Sequence, residues 1–164
     1  MISGDDALQA GADAVSAGAH MIDVNVDDPL LDPPRFMRRF LSLAASDPTV
    51  ARVPVMIDSS DWEVLRAGLE SLQGKGVVNS LSLKDGEEVF LERARVVREM
   101  RAAVLVMWFD EEGQAETFER KIAVARRDLR AGWRSANAIV RSSLIPISKP
   151  ATIARNYPFC TSEL

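Results

Sequence analysis

The sequence predicts an α/β fold in which strands and helices alternate along the chain. Two observations carry the prediction. Short runs rich in Val, Ile, Leu and Met recur, and each is joined to a longer stretch with apolar residues at helical spacing. The short runs are nearly continuous in apolar character, as expected of parallel strands covered on both faces. Each connection is long enough for a right-handed βαβ crossover. A doubly wound sheet and a (β/α)₈ barrel both satisfy this pattern.

The first helix is expected over Asp5 to Ala17, with Leu8, Ala12 and Val15 on one side and Gly18 as a left-handed cap. Ala19 to Val26 reads as a strand. Asp32 is a good N-cap with Pro33 and Pro34 just inside the next helix. That helix carries a stripe of Phe36, Met37, Phe40, Leu41, Leu43 and Ala44. Arg52 to Asp58 is the second strand. The segment Asp58-Ser59-Ser60-Asp61 closes it and caps a helix from Trp62 to Leu72. Gly74-Lys75-Gly76 is a turn, and its spacing is not that of a phosphate-binding loop. Val77 to Leu83 is the third strand and Glu87 to Met100 the helix after it. Ala102 to Phe109 is the fourth strand. Ala115 to Leu129 is a charged helix expected to turn Phe118, Ile122 and Ala125 inward. Met21, Met56 and Met107 are expected to pack the core.

Composition narrows the function classes. The 164 residues suffice for one ordinary domain, and 47% of them are apolar, so a packed core is feasible. A net charge of −4 argues against a nucleic-acid partner, which would require a basic stripe. One cysteine, Cys160, and one histidine, His20, cannot build a disulfide framework or a His/Cys zinc site. No apolar run reaches the roughly 20 residues of a membrane span. The N-terminus lacks the basic and apolar regions of a signal peptide, so the expected location is cytoplasmic. No G-x-G-x-x-G follows the first strand, which removes the main support for dinucleotide binding.

The polar residues at the strand ends are the informative feature. Asp23 and Asn25 lie late in the first strand, and Asp58 ends the second. Asn79 sits within the third, followed by Ser80 and Ser82. Asp110 is expected to end the fourth, ahead of Gln114. In a parallel barrel these ends share one mouth, where active sites are built. Carboxylates and amides converging there suit a flat heterocycle with amide-like edges. The bland reading is that Asp58 and Asp110 only cap the helices that follow them. Asn79 resists that reading, because an Asn inside an apolar strand needs partners. From the residues alone this is a polar-mouthed barrel with a small-molecule site.

Four ordered blocks carry a resemblance. They are Ile22-Asp23-Val24-Asn25-Val26-Asp27 with Leu31-Asp32, Val53 to Ser60, Gln73 to Ser80, and Phe109 to Ala115. Over about Ala7 to Arg127 the chain resembles the pterin-binding domain of the cobalamin-dependent methionine synthase family. Dihydropteroate synthase and the corrinoid methyltransferases share that barrel, and Asp58 and Asn79 match their pterin-contacting positions. The Gly74-Lys75-Gly76 and Asp110 to Ala115 blocks fit methionine synthase better. The resemblance implies a partial (β/α)₈ TIM barrel of about four to five βα units, with an irregular C-terminal tail. It implies a methyltransferase whose substrate is methyltetrahydrofolate and whose cobalamin sits on a separate module. The methyl group would pass to cob(I)alamin and then, through another module, to homocysteine. Asp58 and Asn79 would be the catalytic pair and would hydrogen-bond the pterin. Asp23 and Asn25 would line the mouth, and Asp110 and Gln114 would belong to the next loop.

Two departures from the family shape the domain expectation. The helix at the N-terminus is expected to follow a strand that the chain lacks. The barrel part is expected over 1–130 and a divergent tail over 131–164, with a change of character near Asp128. The family expects a sixth strand reading Ile-Ile-Phe-Asp-Pro-Asn-Ile, where this chain has Arg141 to Ser148. One permitted codon choice read one base earlier restores that motif, which motivates the hypothesis of a frameshift upstream of Arg141. The gene's nucleotide sequence tests it. A truncated barrel with open edges is expected to be weak or inactive in catalysis by itself. The alternatives are a dihydropteroate synthase-like enzyme and a catalytically inert folate-binding fragment.

Overall fold

The computed structural model describes residues 4–28 and 32–135, with side chains through 131. Four strands form one parallel sheet in the order β1-β2-β3-β4, alternating with helices. Sequential order is that of a barrel wall, whereas a doubly wound sheet reverses its strand order at a switch point. The architecture is therefore that of a partial TIM barrel. By contact the described chain forms two compact units, 4–77 and 78–135.

In the first unit α1 spans Gly4–Ser16, β1 Ile22–Asn25, α2 Pro33–Ser46, β2 Val55–Asp58 and α3 Trp62–Ser71. α1 ends as its sequence predicts. Gly18 has φ +103°, and the Ala19 N–H donates to the Ala14 carbonyl at 2.9 Å. α2 starts at Pro33 because Asp32 accepts the Arg35 N–H and the two prolines need no amide partner there. Its buried face is Met37, Phe40, Leu41 and Ala44, four members of the predicted stripe. A short 3₁₀ turn, Val50–Arg52, occupies what the sequence suggests is the start of the second strand. Asp47 causes it by accepting the N–H groups of Thr49 and Val50 at 2.8 and 2.9 Å.

β1 and β2 pair in parallel with Ile22, Asp23, Val24 and Asn25 opposite Val55, Met56, Ile57 and Asp58. Side chains alternate across a strand, so this register sorts them onto two faces. Val24 and Ile57 are buried on one face. A Cβ added at Gly68 of α3 would meet Ile57 Cγ2 at 2.6 Å and Met37 Cγ at 3.2 Å, which shows that this face lies under α2 and α3. Asp23, Asn25, Met56 and Asp58 take the opposite face and are half-buried.

In the second unit β3 (Val77–Leu81) leads through a 3₁₀ turn at Leu83–Asp85 into α4 (Glu87–Glu99), then β4 (Ala103–Val106) and α5 (Phe118–Ser135). Between β4 and α5 lies a feature the sequence reading missed. Phe109–Asp110 and Gly113–Gln114 form an antiparallel hairpin, β5–β6, with Phe109 opposite Gln114 and Asp110 opposite Gly113. The expectation that Asp110 ends the fourth strand is thus corrected. The Phe109 N–H turns back onto the Met107 carbonyl at 2.8 Å, which stops β4 at Val106. The signal was present: Asp110 and Gly113 stand at the first and fourth positions of a turn, and Gly113 has φ +105°.

α5 runs through Ser135, beyond the expected boundary at residue 130. Its inward face also differs from expectation. Val124, Asp128 and Ala131 are buried, while Phe118 is 71% exposed. Arg120 and Arg127 share the side of Val124 at helical spacing and are tied to the hairpin, which turns the opposite side, with Phe118, outward. Met21 and Met107 also depart from the expected core. They lie just outside β1 and β4 and are 37% and 38% exposed. No helix among the described residues is long and apolar enough to cross a membrane. Arg141 to Ser148, Cys160 and the rest of the expected tail past Ser135 lie outside the described residues.

Candidate functional site

The rim of the first unit is built at the C-terminal ends of β1 and β2. Asn25 and Asp58 are direct register partners there, and Asp23 lies two residues earlier on the same face. Three of the six expected site residues are thus gathered on one surface. The capping reading of Asp58 fails, because the N-cap of α3 is Asp61, whose carboxylate accepts the Glu63 N–H at 2.9 Å. Just beyond Asn25, Asp27 links the two strand ends. Its Oδ1 accepts the Ser59 hydroxyl, and its Oδ2 accepts the Ser60 N–H at 2.8 Å and the Ser60 hydroxyl at 3.1 Å. The Asp27 N–H in turn donates to Asn25 Oδ1 at 2.9 Å.

In the second unit Asn79 lies in β3 between buried Val78 and half-buried Ser80, with a cis peptide bond joining Asn79 to Ser80. Asp110 and Gln114 fall in the hairpin. The structural reading gains weight for Asp110: its Oδ1 accepts the Glu112 N–H at 3.0 Å and is paired with the Arg120 guanidinium. Its side chain is only 12% exposed. Gln114 is exposed on β6. Next to Asp110, Glu111 makes two hydrogen bonds of 2.9 Å with Arg127. That guanidinium holds the Glu111 carboxyl down at about 2, and the Glu111 carboxylate raises Arg127 in return. On α5, burial pushes the Asp128 carboxyl up to about 7, and neither of its oxygens has a hydrogen-bond partner among the described residues. Among the described residues no group of three or more His, Cys, Asp or Glu side chains could hold a metal ion.

The strand-end Asp and Asn side chains offer acceptors and donors suited to the edge of a flat amide-like ring. Comparison with known families agrees with that chemistry: residues 1–141 match the family described as pterin binding enzyme. The chain belongs to the pterin-binding enzyme family. This family consists of transferases and covers both methionine synthase and dihydropteroate synthase. Membership supports binding of a folate or pterin in general. The hydrogen-bonded group of Asp27, Ser59 and Ser60 is not singled out by the sequence patterns, although all three stand within the Ile22–Asp27 and Val53–Ser60 blocks. The available signal was a carboxylate two residues past a strand-end Asn, which competes for backbone and hydroxyl donors in the adjacent loop.

Proposed function

We propose that this chain is the folate-binding part of a cobalamin-dependent methionine synthase and that its substrate is 5-methyltetrahydrofolate. The observation that carries the reading is the pairing of Asn25 with Asp58 on the face turned away from α2 and α3, at the C-terminal strand ends. The four sequence blocks, and above all the Phe109 to Ala115 block, favour this member of the family. In this reading Asp58 and Asn79 hydrogen-bond the pterin, and Asp23 and Asn25 line its approach. Asp110 acts through the Arg120-braced hairpin that also carries Gln114.

The reaction asks one thing of these side chains. The methyl group leaves a ring nitrogen, and an amine anion is a poor leaving group, so that nitrogen must be protonated. A carboxylate and an amide held at the ring edge stabilise the positive charge as it develops. Cobalamin on a partner module would receive the methyl group, and a homocysteine-binding module would complete the turnover. The Asp and Asn groups here match the donors and acceptors of a pterin edge, and no residue of this chain is assigned to the corrin.

Titration calorimetry of the 164-residue chain with 5-methyltetrahydrofolate tests the proposal. Binding is expected, and Asp58→Ala and Asn79→Ala are each expected to weaken it by about tenfold or more, the size of one hydrogen bond to a charged group. Unchanged affinity in both variants contradicts the site. Preference for a pterin diphosphate with p-aminobenzoate points instead to dihydropteroate synthase chemistry.

A further inference from the structure

Asp27 stands outside β1 and is assigned no role in the folate reading, yet its side chain joins several parts of this rim. Its carboxylate takes three donors from Ser59 and Ser60, the two residues that directly follow Asp58. Its own N–H is held by the Asn25 side chain. The Ser59 oxygen also accepts the Asp61 N–H at 3.0 Å, and Asp61 caps α3. One carboxylate therefore joins the end of β1, the end of β2 and the start of α3.

We propose that Asp27 is a positioning residue for the folate site, clasping the Ser59–Ser60 loop so that Asn25 and Asp58 present fixed rotamers to the pterin. The proposal rests on the folate reading above. Hydrogen bonds to an ionised acceptor are shorter and stronger than neutral ones, and three of them on consecutive residues leave the loop backbone little freedom. Asp58 is bonded directly to that loop. Asn25 is fixed from the other side, because its amide oxygen is engaged by the Asp27 N–H. A site held this way keeps its first contacts rigid through supporting hydrogen bonds. A purely structural role would instead close the loop without touching the ligand-facing side chains.

Two measurements on the full chain separate these roles. The first is calorimetry with 5-methyltetrahydrofolate on the parent, Asp27→Ala, Asp58→Ala and the double variant. Asp27→Ala is expected to lower affinity about tenfold in the parent, and by clearly less once Asp58 is gone, because part of its effect travels through Asp58. Equal losses in both backgrounds, or no loss in the parent, overturn the proposal. The second needs no folate: NMR three-bond couplings across χ1 of Asn25 and Asp58. Single rotamers are expected in the parent and averaged couplings in Asp27→Ala. Unchanged couplings overturn the clasp whether or not folate binds. A parent that binds no folate, with couplings that do average, removes the folate reading and leaves the clasp standing. Should Asp27→Ala not fold, Ser60→Ala deletes one of the three donors and carries the same two tests.

Discussion

Asp128 carries the least comfortable charge in the described chain. It is 5% exposed, and both of its oxygens lack a partner among the described residues. Burial raises its carboxyl from 3.8 to about 7, Arg127 opposes the shift, and Asp110 adds to it. Between these two values the folded chain keeps a proton that the unfolded chain has released. Stability from this group is therefore full below 3.8 and is lost as pH rises toward about 7. Asp128→Asn is expected to flatten that dependence and to raise stability at about pH 8 by on the order of 2 kcal/mol. Urea unfolding at about pH 5 and about pH 8 reads this directly, and a parallel pH dependence in the variant contradicts it. Glu111 has the opposite sign. Its carboxyl, held at about 2 by Arg127, favours the fold above its ordinary 4.5 and stops doing so as pH falls toward 2. At this scale the sequence was partly legible. Asp23, Asn25 and Asp58 could be named because acids and amides at strand ends stand out from apolar runs. Asp27 showed only as a carboxylate two residues past a strand-end Asn, since its carboxylate's partners Ser59 and Ser60 lie more than thirty positions away.

The elements behave as their local chemistry dictates where caps and stripes are clear. Asp32 and Asp61 both cap the helices that follow them. α5 shows why a stripe alone is insufficient. Its apolar residues can be grouped as Phe118, Ile122 and Ala125 or as Val124 and Ala131. The ion pairs of Arg120 with Asp110 and of Arg127 with Glu111 go with the second grouping. That grouping buries Asp128 beside Val124 and Ala131, a conflict between local sequence and fold at the point where the sequence changes character. The exposed Arg127–Glu111 pair is expected to matter little, so Arg127→Ala should leave the unfolding midpoint close to that of the parent. Packing between β2 and α3 is far less tolerant. Gly68→Ala would put a methyl 2.6 Å from Ile57 Cγ2 and 2.9 Å from Ile57 Cδ1, with both Ile57 and Met37 fully buried. A loss of roughly 1–3 kcal/mol is expected, measured as a lower unfolding midpoint. A midpoint equal to that of the parent contradicts the packing described for this layer.

For the whole molecule, the alternation of strands and helices was readable because each run kept a single period. Barrel and doubly wound sheet stayed open, since strand order is a long-range property that periodicity does not encode. The order β1-β2-β3-β4 resolves it. Membership of the pterin-binding family then gives chemical meaning to the polar face that alternation sets opposite Val24 and Ile57. The central claim is that this face, at the C-terminal strand ends, receives the pterin ring. Titration of 5-methyltetrahydrofolate into the isotope-labelled chain, followed residue by residue by NMR, tests it most directly. The largest shifts are expected at Asn25 and Asp58, with the outer surfaces of α3 and α4 silent. Shifts confined to those helices, or a spectrum that does not respond to folate, would contradict it.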